Sequence, residues 1–138
     1  MNFARVAASA VVAWIVYLGV SFVVNSVVLV ELYAQHARVF RPETEMNLAF
    51  GFGATLIGFF VFAYAYAKGY EGGTGAVEGL RYGVVVGLLL ACFAVAWNYV
   101  VLPVSGALAA AWMVDTIVEM AIYGVVVGLI YKPHASRK

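Results

Sequence analysis

Charge is scarce in this sequence. Only 11% of its 138 residues are Asp, Glu, Lys or Arg, where a soluble domain carries about 25%. Hydrophobic residues make up 65%, against about 45–50% in soluble domains, and the mean hydropathy is +0.97. So few charges cannot cover a water-facing surface, and the apolar excess must face lipid. The net charge is only +1. Lys and Arg scatter near helix ends with no basic stripe, which excludes an electrostatic case for nucleic acid.

Cysteine and histidine are equally sparse. Cys92 stands alone, so an intramolecular disulfide is excluded, as are zinc and redox motifs built on paired cysteines. It reads as a small apolar residue. His36 and His134 both fall outside the apolar runs, which leaves haem or pigment ligation inside a bundle unsupported. No Ser–His or Cys–His pair shares a site, so nucleophilic catalysis has no candidate. No cofactor is implied, and the residues do not name a metal.

Four long apolar runs are present, over about 6–30, 48–67, 82–102 and 107–131, and none contains Lys or Arg. Each meets the length of about 20 residues that a membrane-crossing helix needs. None alternates polar with apolar residues as barrel strands do, and in lipid only helices and closed barrels satisfy the backbone. The expected fold is all-α: a four-helix transmembrane bundle forming a single integral-membrane domain over residues 1–138. The first run is longer than the roughly 7–15 apolar residues of a signal peptide, so it is expected to remain as the first span.

Lys and Arg in the short loops predict orientation. With the N-terminus inside, Arg5, Lys68, Arg81, Lys132, Arg137 and Lys138 lie on the inner side and only Arg38 and Arg41 outside. The expectation is N-in, C-in, in a bacterial inner membrane. In the outer connection, residues 31–36 continue the first helix, Pro42 breaks the chain, and Glu43 and Glu45 are expected in the first turn of the second helix. In the inner loop, Gly72-Gly73-Thr74-Gly75 loosely resembles a phosphate cradle. It lacks the Gly-Lys-Ser/Thr ending and the preceding strand, and reads as a flexible turn before Glu78. Tyrosines near span ends, including Tyr33, Tyr66, Tyr82 and Tyr131, read as an interfacial aromatic belt.

One heptapeptide occurs twice, as Tyr82-Gly83-Val84-Val85-Val86-Gly87-Leu88 and Tyr123-Gly124-Val125-Val126-Val127-Gly128-Leu129. Gly79 extends the first copy. Small residues four apart let helix backbones approach closely, so Gly79, Gly83 and Gly87 are expected to pack against Gly124 and Gly128. A contact between two molecules is the competing use.

The chemical signal is Asp115 and Glu119, four residues apart on one face of the fourth span. A mid-membrane acid costs about 2.5–3.5 kcal/mol to insert, and each Ile, Leu or Val returns about 0.3–0.6 kcal/mol. Facing lipid would waste the driving force of the span, so the acids are expected to face protein or a wet cavity. Ser21, Asn25, Thr55 and Asn98 lie at comparable depth and are expected to converge on them. Either the acids hold protons, or oxygens from Asp115, Glu119, Asn25 and Asn98 hold a hard cation. The plainer alternative is that protonated acids merely hydrogen-bond the bundle together.

Residues 68–73 (Lys-Gly-Tyr-Glu-Gly-Gly) and 78–83 (Glu-Gly-Leu-Arg-Tyr-Gly), the pair Asn98-Tyr99, and the ending Gly124…Gly128-Leu129-Ile130-Tyr131-Lys132-Pro133 resemble small tetraspan bacterial membrane proteins of unknown function. The likeness lies mainly in the second half. It implies a four-helix membrane protein and no activity.

Three function classes are consistent with these residues. The first is binding or passage of a proton, small cation or cationic solute at the acids, with a homo-oligomer where passage needs more than four spans. The second is a non-catalytic accessory subunit of a larger membrane complex, with the glycine stripes as contacts. The third is an enzyme acting on a lipid-soluble substrate.

Overall fold

A computed structural model of the chain describes residues 1–131. Among these the protein is predominantly helical, with no strand. The order is α1 (Phe3–Val23), a π-helical turn (Val24–Val28), α2 (Val30–Gln35), a 3-10 turn (Glu43–Glu45), α3 (Leu48–Gly69), α4 (Gly75–Leu90), a second π-helical turn (Ala91–Val95), α5 (Ala96–Val101) and α6 (Gly106–Tyr131). Four helical segments are long and apolar enough to cross a bilayer: Phe3–Val28, Leu48–Gly69, Gly75–Val101 and Gly106–Tyr131. This is a multi-pass membrane protein built as a four-helix bundle. Of the charges used to orient it, Lys132, Arg137 and Lys138 lie outside the described residues, as does His134.

Successive spans run antiparallel, so the bundle has two ends. The terminal end holds Phe3, the Gly69–Gly75 loop and Tyr131. The loop end holds residues 29–47 and the tight connection at 102–105. α6 is the central helix. It packs along the whole of α4, and also against α1, which in turn packs on α3.

The α4–α6 pair rests on glycine. Gly75, Gly79, Gly83 and Gly87 are all buried and four residues apart, and Ala91 extends the row at 3% exposure. A Cβ at Gly79 would overlap the Gly124 backbone, one at Gly75 the Gly128 backbone, and one at Gly83 the Met120 backbone. Close approach therefore excludes any side chain at these positions. Gly124 and Gly128 are buried in the reciprocal positions. The ladder starts one turn earlier than the sequence reading placed it. The third span begins at Gly75 rather than Tyr82 because Thr74 starts a helical turn that the polar Glu78 and Arg81 do not interrupt.

The rest of the core lies toward the terminal end. Val6, Ala10 and Ala13 of α1, Phe59, Phe62, Ala63 and Tyr66 of α3, and Tyr123, Val127 and Tyr131 of α6 form one cluster. Tyr66 and Tyr131 are 2% and 3% exposed, so these two belong to the packed interior and not to an interfacial belt. Their rings meet edge to face with centroids 5.9 Å apart, an arrangement that aromatic quadrupoles favour. Toward the loop end α3 leaves the bundle, and residues 48–54 are exposed on every side.

Two loop details differ from the sequence reading. Glu43 and Glu45 do not open the second span. They sit in a separate 3-10 turn after Pro42, and Asn47 caps α3 by accepting the Phe50 N–H at 3.0 Å. The extended backbone at Met46 separates the two turns. The glycine loop is also more ordered than a flexible turn. The Glu78 carboxylate accepts the backbone N–H of Glu71 and that of Gly73, and Gly72 takes a φ of +90° to aim them. The cradle is thus filled by the chain's own anion.

Candidate functional site

Glu119 lies at the middle of α6, where the residue is 8% exposed. Ser21 of α1 donates its Oγ–H to the carboxylate, with both oxygens at 3.2 Å. Tyr123, one turn further along α6 and fully buried, donates its hydroxyl to Oε2 at 2.7 Å. The spacing of four residues stacks Glu119 and Tyr123 on one helix face, and that face meets α1. The glycine face of α6 meets α4 instead. One helix therefore carries an acid seam and a packing seam on different sides.

A run of polar groups leads from Glu119 to the loop end. Asn25 donates through Nδ2 to the Ser21 carbonyl and accepts the Tyr33 hydroxyl on Oδ1, both at 2.8 Å. Trp112 of α6 donates its indole N–H to the Tyr33 oxygen, also at 2.8 Å. Tyr33, Phe40 and Trp112 form a ring cluster with centroids 5.2 to 6.3 Å apart. Burial pushes the Tyr33 hydroxyl above the usual phenol range, so it remains a donor. His36 ties this end together. Its Nε2 accepts the Ser105 N–H at 3.0 Å, which leaves Nδ1 to donate to the Leu32 carbonyl at 2.8 Å.

Asp115 sits one turn above Glu119 on the same face and is partly buried. It has no hydrogen-bond partner among the described residues, and neither acid has a basic one. On the terminal side, the rings of Tyr17, Phe59 and Tyr123 close over the site, with centroids 5.2 to 6.0 Å apart. The polar groups near Glu119 therefore lie toward the loop end.

Of the residues expected to converge, Ser21 reaches Glu119 through its hydroxyl, whereas Asn25 bonds the Ser21 backbone carbonyl and the Tyr33 hydroxyl and does not reach the acid. Thr55 does not touch the acids. It accepts the Trp14 indole N–H at 3.1 Å and donates to the Phe52 carbonyl, also at 3.1 Å. Asn98 is exposed on α5 and makes no side-chain hydrogen bond with either acid. The π turn at Ala91–Val95 explains its position. An extra residue in the helical ladder rotates the rest of the helix by about 100°, and carries Asn98 off the stripe of Gly83 and Gly87.

The sequence reading missed Tyr123, Tyr33 and Trp112. Tyr123 was legible in principle, since it falls four residues after Glu119 on the acid face. Tyr33 was not, because the first π turn and the break at Leu29 decide where it points. Among the described residues no group of three His, Cys, Asp or Glu side chains could hold a metal. Compared with known proteins, the chain matches no protein-family model, no curated protein and no solved structure, so the reading of this site rests on its own geometry.

Proposed function

We propose that this protein reversibly binds a proton or a small cation at Asp115 and Glu119, from the loop end of the bundle. The observation that carries the reading is the setting of Glu119: a mid-span acidic residue, 8% exposed, held by two hydroxyl donors with no basic neighbour among the described residues. An intramembrane acid of this kind needs a compensating positive charge. A bound proton supplies it, and so does a cation entering past Asp115. Asp115 has carboxylate oxygens to offer, because no side chain among the described residues uses them.

The location and orientation of this reading are a bacterial inner membrane with the N-terminus inside, which rest on the Lys and Arg bias. The loop end then faces outward. The glycine faces that would serve an accessory subunit as contacts are covered within the chain, by α4 on α6, and this favours binding over the accessory reading.

The test uses the full chain reconstituted in liposomes. Infrared titration follows the protonated carboxyl band, and isothermal titration with Na⁺, K⁺ and tetramethylammonium follows cation binding. Glu119→Gln should remove the titrating band and any cation heat, and Asp115→Asn should weaken the cation signal. A double amide variant that titrates and binds like the native protein refutes the reading.

A further inference from the structure

A groove that neither Asp115 nor Glu119 lines runs down α3. Its deep part is a cleft of about 370 Å³ between α3 and α4, walled by Phe59, Phe62, Tyr82, Val86, Leu90 and Met120, among other residues. The cleft exists because α3 is held mainly by α1, and α4 by α6, rather than the two being packed along each other. They meet mainly where Tyr82 donates its hydroxyl to the Phe62 carbonyl at 2.8 Å. Gly58 lies in the wall, and a Cβ there would meet nothing within 4 Å.

Tyr17 and Thr55 also line a second hollow, of about 360 Å³, that includes Asn47, Gly51 and Arg41. Arg41, Met46 and Leu48 in turn line a third, of about 960 Å³, which reaches Asn25, Tyr33 and Glu43. The shared walls make one path. It is apolar at depth and has a polar mouth that Arg41 and Glu43 both line. Arg41 forms no ion pair among the described residues.

The dimensions and chemistry fit one kind of occupant. The helix between Asn47 and Phe62 rises roughly 22 Å, and one leaflet with its headgroups measures about 20–22 Å. The deep cleft, at about 370 Å³, has room for one hydrocarbon chain. A guanidinium at the mouth matches a phosphate, and a carboxylate next to it matches an ammonium. We propose that the α3 groove binds one phosphatidylethanolamine molecule from the bilayer, with one acyl chain between α3 and α4, its phosphate on Arg41 and its ammonium on Glu43. Leu48, Gly51 and Phe52 of α3, exposed within the chain, then line the bound lipid.

The proposal is tested by native mass spectrometry on the full chain in a non-ionic detergent. The protein is titrated with phosphatidylethanolamine, phosphatidylglycerol, or a galactosyl diacylglycerol with the same chains. The native protein should retain one phosphatidylethanolamine, in preference to the galactolipid by about tenfold. Arg41→Gln should abolish that preference. Gly58→Phe, whose Cβ meets nothing within 4 Å and whose ring enters the cleft, should reduce retention of every diacyl lipid while the chain still unfolds cooperatively. Equal retention of phospholipid and galactolipid by the native protein overturns the proposal. So does native-like retention in both variants, and a preference for phosphatidylglycerol overturns the assignment of Glu43.

Discussion

Replacing Gly87 with alanine puts one methyl group into the seam between α4 and α6. Its Cβ would lie 2.8 Å from the Ile117 Cα and 3.2 Å from both the Met120 Cβ and the Thr116 carbonyl oxygen. Carbon pairs rest at about 3.5–4.0 Å, so the two helices must part locally by roughly 1 Å. A gap of that size forfeits about a quarter to a half of each dispersion contact it opens, and overpacking of this kind costs about 1–3 kcal/mol. Against this, alanine returns about 0.5–1 kcal/mol of helix propensity. The net expectation is a loss of about 1–2 kcal/mol. The same change at Gly58 meets nothing within 4 Å, so it should be neutral or stabilise by up to about 1 kcal/mol. Reversible unfolding in mixed micelles with increasing denaturing detergent, followed by circular dichroism, measures both variants against the native chain. The opposite signs of two chemically identical substitutions are the signature of glycine used for approach. A Gly87→Ala protein as stable as Gly58→Ala would refute the claim that the α4–α6 seam depends on bare backbone.

The hydrogen bonds give three further expected outcomes. Tyr123→Phe strips the 2.7 Å donor from Glu119 and should cost about 1–3 kcal/mol. A double-mutant cycle with Ser21→Ala should show coupling above about 0.5 kcal/mol because both hydroxyls serve one carboxylate; strict additivity would contradict the shared site. Glu78→Ala empties the backbone cradle at Glu71 and Gly73, and hydrogen exchange at those two amides should speed up by about tenfold, the equivalent of about 1.4 kcal/mol. His36→Ala removes the acceptor for the Ser105 N–H. Exchange at Ser105 should rise while the α4–α6 amides stay protected, and an unchanged Ser105 rate would mean that the imidazole does not tie the loop end.

Composition and local spacing determined the large features of this protein. Too few charges for a wetted surface, and four apolar runs of membrane length, were enough to define four spanning helices. A spacing of four placed Asp115 with Glu119, and Gly83 with Gly87, on single helix faces, because a regular helix repeats every 3.6 residues. That rule works only while the helix stays regular. The π turns at Val24–Val28 and Ala91–Val95 broke the count and turned Asn98 away from the acids. Tertiary structure alone decided which neighbour each face meets: α1 brings Ser21 to Glu119, and α4 covers Gly124. It also decided that α3 diverges toward the loop end and leaves an open groove. Periodicity describes one helix at a time, and the fit between helices depends on shapes that only packing brings together.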